Sequence, residues 1–263
     1  MPATSDAAKA GYDSIDDDEI STETIVGSVL LARSLKQQGV DFMFGVVGFP
    51  VDRLAREAQN EGIEYIGMRN EQAASYAAQA ASYLLGRPQA CIVVSGPGVI
   101  HGLAGLANAK ENFWPMILIG GASAINQNGM GAFQEENQVE IARLVSKYAH
   151  SLDRPERIPY YVEQAVRSTI YGRPGPAYLD APDDVLTAEI PVSAIKDVQV
   201  VPDPPKFGVA ERDIQAALAA LKSAERPLVI VGKGMAWARA ENEVLELIEK
   251  TQIPFLPTAF GQF

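Results

Sequence analysis

Short apolar runs alternate with longer amphipathic stretches along most of the chain. Runs such as ACIVVS and PMILIGG are apolar throughout, as expected of strands that helices cover on both faces. The stretches between them, such as EQAASYAAQAASYLL, are about 10–15 residues long and have apolar residues at helical spacing. Strands and helices in this alternation predict a parallel sheet built from βαβ units. We therefore expect a doubly wound α/β domain over residues 20–191.

The pattern predicts five strands and six helices in this domain. Ser21 or Thr22 is predicted to cap the first helix, with Glu23 in its first turn and Gly39 just past its end. The strands lie in VDFMFGVVG, IEYIGM, ACIVVS, PMILIGG and PAYLD. The other helices are predicted over residues 50–58, opened by Pro50, over the stretch that begins at Glu71, and over residues 99–110, 136–146 and 159–171.

A second α/β pattern follows a proline-rich segment, VQVVPDPPK, which predicts a stiff, extended linker. Helices are predicted over 210–222 and 239–250, and strands in RPLVIVGKG and IPFLPT. Two strands and two helices cannot cover both faces of a parallel sheet, so we expect the chain to be a fragment of a longer protein. The predicted divisions are a disordered acidic lead-in (1–20), a first domain (21–192), a linker (193–208) and an incomplete second domain (209–263).

Charge and composition exclude several classes of function. The net charge is −11, and residues 1–24 contain seven acidic residues against one basic residue. An acidic chain without a basic stripe argues against nucleic acid binding. No apolar run approaches the ~18 residues of a membrane span, and no signal or transit peptide is evident. Cys91, His101 and His150 are too few for a zinc site, so we expect no metal site in this chain.

Glu71 lies where a predicted strand passes into a predicted helix. A carboxylate in a first helical turn gains ~0.3–1 kcal/mol from the helix dipole, so this position requires no function. However, ligands of open α/β folds bind just beyond the carboxyl ends of strands, and the alanines that follow leave room for a flat ligand. The residues alone leave both interpretations open.

Two glycine turns and one histidine are weaker candidates. SGPG (95–98) can present backbone N–H groups to an anion, although a tight strand-to-helix turn is the favoured interpretation. GKG (232–234) is similar, with Lys233 able to reach a phosphate. His101 has no partner acid at a telling spacing in the sequence, and a packed or surface histidine is favoured.

Five segments of the first domain closely resemble the N-terminal, pyrimidine-binding domain of thiamine-diphosphate enzymes. They are GVVGFPV, GMRNEQAASYAAQAASYLLGRP, CIVVSGPGVIHGLAGLANAKENFWPMILIGG, MGAFQE and AVRSTIYGRPGPAYLDAP. Within that superfamily they are most similar to 2-hydroxyacyl-CoA lyases and oxalyl-CoA decarboxylases. KSAERPLVIVGKGMAWARAE and IPFLPT resemble the start of the family's central domain more loosely.

The resemblance implies a catalytic role for Glu71. The matching glutamate hydrogen-bonds N1′ of the aminopyrimidine and thereby promotes removal of the proton from thiazolium C2. His101 and Lys233 match positions near the substrate or the nucleotide part of coenzyme A. The cofactor-binding residues expected on this basis are Gly48, Phe49, Pro50, Glu71 and Gln134. Gly96, Pro97 and Gly98 of the SGPG turn are expected to bind the cofactor as well.

The resemblance also implies thiamine diphosphate and Mg²⁺ as cofactors, with the Mg²⁺ ligands in a C-terminal domain that this sequence does not contain. The expected activity is cleavage of the C1–C2 bond of a 2-hydroxyacyl-CoA to formyl-CoA and an aldehyde, in a homodimer or homotetramer. Alternatives are an oxalyl-CoA decarboxylase, an acetolactate synthase-like enzyme, and a non-catalytic truncated subunit that pairs with a full-length or C-terminal chain. The compartment is cytoplasmic or peroxisomal by family.

Overall fold

The computed structural model describes residues 23–258 of the chain. The acidic lead-in over 1–20 and the candidate caps Ser21 and Thr22 lie outside this range. The chain forms two compact units that divide between Pro204 and Pro205. None of the helices in the described range is long and apolar enough to cross a membrane.

The described part of the first unit, residues 23–204, contains eight strands and seven α-helices. The strands are β1 (Thr24–Val26), β2 (Phe42–Gly45), β3 (Glu64–Gly67), β4 (Ala90–Val93), β5 (Met116–Ala122), β6 (Tyr148–Ser151), β7 (Pro176–Pro182) and β8 (Glu189–Pro191). The helices are α1 (Gly27–Gln37), α2 (Asp52–Asn60), α3 (Glu71–Leu85), α4 (Pro97–Asn112), α5 (Gln138–Val145), α6 (Ile158–Ile170) and α7 (Asp183–Thr187). Short 3₁₀ turns occupy Ile125–Gln127, Pro155–Arg157 and Val192–Ala194.

Six strands form one parallel sheet in the order β3-β2-β4-β5-β7-β6. Alternate residues of each strand face opposite sides, so β5 places Ile117 and Ile119 in one core and Met116 and Leu118 in the other. Helices α1, α2 and α6 cover the first core, and α3, α4 and α5 cover the second. The doubly wound α/β fold predicted from the sequence is confirmed.

The start of the first helix was predicted wrongly. Residues 24–26 form strand β1, which pairs antiparallel with β8, and α1 begins only at Gly27. Ile25 and Val26 suit a helix face as well as a strand, and the partner strand lies more than 160 residues away. Such a distant pairing leaves no local pattern. Gly39, in contrast, follows the helix with φ +87°, as predicted for the residue just past its end.

Smaller differences concern the ends of elements. Helix α2 begins at Asp52, and Pro50, which was predicted to open it, lies in the preceding turn. Strand β6 was not predicted from YAHS, which has little apolar character and lies at the sheet edge.

Over residues 205–258 the second unit has a two-stranded parallel sheet and three helices. They are α8 (Glu211–Ser223), β9 (Val229–Val231), α9 (Lys233–Ala238), α10 (Glu241–Thr251) and β10 (Phe255–Pro257). The strands pair with Phe255 opposite Val229, as expected for the opening of a βαβ unit. Ile230 and Leu256 are exposed on this sheet. The GKG segment is a tight strand-to-helix junction, as favoured from the sequence, since β9 ends at Val231 and α9 begins at Lys233.

Candidate functional site

The carboxyl ends of β2, β3 and β4 meet at the point where the direction of chain winding reverses. From β2 the chain passes to β3 on one side and then returns to β4 on the other side of β2. In open α/β sheets, ligands bind in the crevice at such a switch point. The loop after β2, the start of α3 and the SGPG turn after β4 all lie at this edge of the sheet, which makes it the candidate site.

Glu71 is the first residue of α3, but it does not cap the helix. The N-cap is Asn70, whose Oδ1 accepts a hydrogen bond from the backbone N–H of Ala73 at 3.1 Å. The helix end is therefore satisfied without the Glu71 side chain. Only 17% of that side chain is exposed. Its carboxylate is thus available for another partner.

That partner is His101, which the sequence left without an acid. His101 Nδ1 lies 3.3 Å from Glu71 Oε2, and the histidine side chain is 60% exposed. The two residues come from α3 and α4, which pack closely enough that Gly105 of α4 lies against Ser75 of α3. The structure therefore joins two of the residues that the sequence singled out separately.

The loop after β2 contains Gly48, Phe49 and Pro50. Phe49 is exposed, Pro50 is buried, and a Cβ at Gly48 would lie 2.7 Å from a methyl carbon of Val94. Glycine at position 48 is therefore explained by packing of this loop against the residue that follows β4. An exposed aromatic ring and a partly buried carboxylate at the same edge of the sheet suit a flat heteroaromatic ligand that is both stacked and hydrogen-bonded.

The SGPG turn is a tight strand-to-helix turn, as favoured from the sequence. Gly96 has φ +58°, and a Cβ there would lie 2.7 Å from the backbone oxygen of Gln134. Pro97 and Gly98 then form the first turn of α4. The N–H of Gly96 is not offered to an anion, because it donates to Oε1 of Gln138 at 2.6 Å.

A buried polar network beneath this turn was missed from the sequence. Besides accepting from Gly96, Gln138 donates through Nε2 to the Gly121 carbonyl at 2.9 Å and to Asp180 Oδ1 at 2.6 Å. The Tyr178 hydroxyl donates to the same Asp180 oxygen at 2.6 Å. Asp180 could have been recognised in the sequence as a charged residue in the otherwise apolar strand β7. Nothing local in the sequence indicates Gln138.

The network borders a cavity of about 600 Å³ at the carboxyl edge of the sheet. Its walls include Ser95, Gln134, Gln138 and Asp180. Ser95 is buried, and its hydroxyl oxygen has no hydrogen-bond partner in the described chain. Gln134, predicted to face the site, lies here in a left-handed conformation with φ +56°. Ser95, the first residue of the SGPG turn, lines the cavity, and His101 lies in the second turn of α4, the helix that this turn opens.

Cys91 is a fully buried residue of β4. Burial raises the pKa of the Cys91 thiol, and the charge of Glu71 acts in the same direction, so the thiol stays protonated and unreactive. Lys233 is the first residue of α9 in the second unit. Among residues 23–258, no group of three or more His, Cys, Asp or Glu side chains is placed to hold a metal ion.

Asp180 gives the chain a testable pH dependence. Burial raises the pKa of its carboxyl, although hydrogen bonds from Tyr178, Gln138 and Ser151 oppose the shift. The folded state therefore binds more protons than the unfolded chain, and this contribution to the free energy of unfolding falls as pH rises above about 4. Asp180→Asn removes the titration. We expect the stability of the variant relative to wild type to increase from pH 4 to 7 in urea denaturation, and a flat difference would contradict this account.

Two protein-family models match parts of the chain. Residues 25–141 match the thiamine pyrophosphate enzyme N-terminal TPP binding domain, and residues 214–262 match the thiamine pyrophosphate enzyme central domain. The six-stranded parallel sheet is consistent with the first of these domains. The chain thus contains the N-terminal TPP binding domain of thiamine pyrophosphate enzymes and, after it, sequence of their central domain.

Within this family the chain is similar to lyases and decarboxylases of acyl-CoA compounds. It is 50% identical over 242 residues to 2-hydroxyacyl-CoA lyase 1 of Mus musculus, and 48% identical over 244 residues to 2-hydroxyacyl-CoA lyase 1 of Homo sapiens. It is 40% identical over 240 residues to oxalyl-CoA decarboxylase of Escherichia coli (strain K12). These matches cover 92%, 93% and 90% of this chain, but only 42%, 42% and 43% of the respective relatives.

Proposed function

We propose that this chain forms the pyrimidine-binding part of a thiamine-diphosphate-dependent 2-hydroxyacyl-CoA lyase. The reaction cleaves the C1–C2 bond of a 2-hydroxyacyl-CoA and yields formyl-CoA and an aldehyde. The observation that carries the proposal is the position of Glu71, a partly buried carboxylate at the switch point of the sheet, in contact with His101. The similarity to the mouse and human lyases supports the choice of reaction.

The residues at this edge fit the aminopyrimidine half of the cofactor. When bound, thiamine diphosphate supplies a nucleophilic carbon and an electron sink for the carbon–carbon bond that breaks. Glu71 would exchange a proton with the pyrimidine nitrogen N1′, as a carboxyl group does in general acid–base catalysis. Phe49 of the loop over 48–50 would lie against the ring, and residues 96–98 and Gln134 would border it.

His101 is proposed to orient the Glu71 carboxylate and to face the substrate. Its Nδ1 contacts Glu71 Oε2, which leaves Nε2 of an exposed ring for a substrate oxygen. Lys233 is proposed to contact the nucleotide part of coenzyme A, since an ammonium group at the start of a helix after a strand can reach a phosphate.

Several further properties belong to the same proposal. Mg²⁺ would bind the cofactor's diphosphate through ligands of a C-terminal domain. We propose homodimers or homotetramers, supported by the exposed apolar residues Tyr76, Leu84 and Ile100 on α3 and α4. Sedimentation of an active preparation as a monomer would contradict the proposed oligomer.

A role in peroxisomal fatty acid α-oxidation is also proposed. The proposed domain limits are 21–192 for the first domain, 193–208 for the linker and 209–263 for the second domain.

Fusion proteins test the proposed reaction. The chain is joined to the C-terminal region of the mouse lyase in one fusion and of the E. coli decarboxylase in a second, and each C-terminal region alone is the control. Thiamine diphosphate titration and formyl-CoA release are measured with a 2-hydroxyacyl-CoA and with oxalyl-CoA. We expect the first fusion to release formyl-CoA together with an aldehyde. Cofactor binding without turnover of either substrate would contradict the proposal, and turnover of oxalyl-CoA alone by both fusions would favour the decarboxylase.

A further inference from the structure

The side chain of Gln138 connects three neighbouring strand ends at the site. Its Oε1 accepts from the Gly96 N–H after β4, while Nε2 donates to the Gly121 carbonyl in β5 and to Asp180 Oδ1 in β7. Gln138 is 3% exposed and Asp180 is 8% exposed, so water does not replace these bonds. The amide is held at its donor end and at its acceptor end.

Only an amide can make this set of contacts. A backbone N–H requires an acceptor opposite it, whereas a carbonyl and a carboxylate require donors, so the orientation of the carboxamide is determined. An ionised glutamate at position 138 would place a second carboxylate against Asp180. A leucine would leave the Gly96 N–H, the Gly121 carbonyl and Asp180 without this partner, and buried polar groups without partners are costly.

The bond to Gly96 anchors the beginning of α4. Gly96 is the N-cap of this helix, and no side chain at the N-cap position accepts a hydrogen bond from the helix. Its backbone has φ +58° and ψ −111°, and its carbonyl accepts from the N–H of Ile100 at 3.0 Å. The next residue is His101. Because a helix moves as a rigid element, a shift of Gly96 is transmitted to the imidazole beside Glu71.

We propose that Gln138 is a positioning residue that sets the Glu71–His101 geometry through Gly96 and α4. Gln138 need not touch cofactor or substrate for this. Its effect passes through the turn from the network beneath, whose Asp180 and Tyr178 hold the amide from the β7 side. The catalytic consequence rests on the proposed function, whereas the link from Gln138 to Gly96 does not.

The link is tested by hydrogen exchange at the Gly96 amide, with Gln89→Leu as the matched control for Gln138→Leu. Gln89 is also buried, and its Oε1 accepts from the N–H groups of Asp41 and Phe42 at the opposite, amino edge of the sheet. We expect Gly96 to exchange at least about tenfold faster in Gln138→Leu than in Gln89→Leu. We also expect the NMR signal of the His101 ring to shift only in Gln138→Leu. Equal exchange in the two variants would overturn the proposal.

A swap of donor and acceptor distinguishes this bond from a general packing role. Gln138→Glu should speed exchange at the Gly96 amide, because the introduced carboxylate is repelled by Asp180. Asp180→Asn should change this exchange little, because asparagine retains an acceptor oxygen for Gln138. In the double variant, the carboxylate introduced at position 138 accepts from both the Gly96 N–H and the amide introduced at position 180. We therefore expect slower exchange than in Gln138→Glu alone. Additive effects of the two substitutions would overturn the direct coupling.

Turnover in the mouse fusion separates this inference from the proposed reaction. Gln138→Leu should lower kcat by about tenfold or more with little change in KM, because a small misplacement of reacting groups costs rate rather than affinity. Gln89→Leu should retain wild-type kcat. If Gly96 is loosened but kcat is unchanged, the positioning role is wrong. If the wild-type fusion is inactive, the proposed function fails, and the exchange experiment still decides the link to Gly96.

Discussion

Glu71→Gln should lower kcat of the mouse fusion by about 10²–10⁴-fold, the usual contribution of a general acid–base group. Glutamine preserves the shape of the side chain and a hydrogen bond to His101, but it cannot exchange a proton with a ring nitrogen. The change should appear in kcat and in kcat/KM alike, since the lost interaction belongs to the transition state. Formyl-CoA release under saturating cofactor measures it.

Glu140→Gln is the matched control for this variant. Glu140 also lies in the first turn of a helix, α5, but it is exposed and paired with Arg143. Its replacement tests whether loss of any helix-terminal carboxylate, worth ~0.3–1 kcal/mol through the helix dipole, affects turnover. We expect wild-type kcat for Glu140→Gln and similar urea denaturation curves for both variants. Normal turnover by the Glu71→Gln variant would contradict the assignment of Glu71 as a catalytic residue.

Gly105→Ala should destabilise the first unit by about 1–3 kcal/mol through overpacking. A Cβ at Gly105 would lie 2.2 Å from Ser75 Oγ and 2.9 Å from the Ser75 backbone carbon, so α3 and α4 must separate. Intrinsic helix propensity favours alanine by up to about 1 kcal/mol and offsets part of this cost. Because α3 begins with Glu71 and α4 contains His101, the separation should also weaken their contact, which NMR signals of the His101 ring would report.

Gly102→Ala, one turn earlier in α4, provides the comparison. Its Cβ would lie 3.2 Å from the two terminal methyl carbons of Leu118, which can move. The gain in helix propensity is the same as at Gly105, so the difference between the variants isolates the helix–helix clash. We expect Gly102→Ala to be near neutral in urea denaturation. Equal stability of the two variants would show that α3 and α4 can separate at no cost.

The parallel sheet could be predicted because its signal is local. The continuous apolar runs of β2, β4 and β5 reflect burial on both faces, and the helical spacing in α3 and α6 shows which face each helix buries. The pairing of β1 with β8 could not be predicted in this way. Strand β1 is three residues long, and its partner follows at the far end of the domain. Only the assembled domain brings them together.

The candidate site divides in the same manner. Glu71 was identified because a carboxylate at a strand-to-helix junction is visible in the sequence. Its contact with His101 was not, because 30 residues separate them and the contact depends on how α3 packs on α4. Gln138 gave no signal at all, since its role is defined by a backbone N–H 42 residues earlier and a carboxylate 42 residues later.

The sequence by itself determined the winding of strands and helices, the turn after β4, and the acid at the start of α3, because periodicity, glycine conformation and helix-end chemistry act over a few residues. The tertiary structure decided which helix lies beside that acid, which amide anchors the turn, and which strand pairs with residues 24–26. Such contacts depend on sheet order and close packing between distant segments, and no spacing along the chain encodes them.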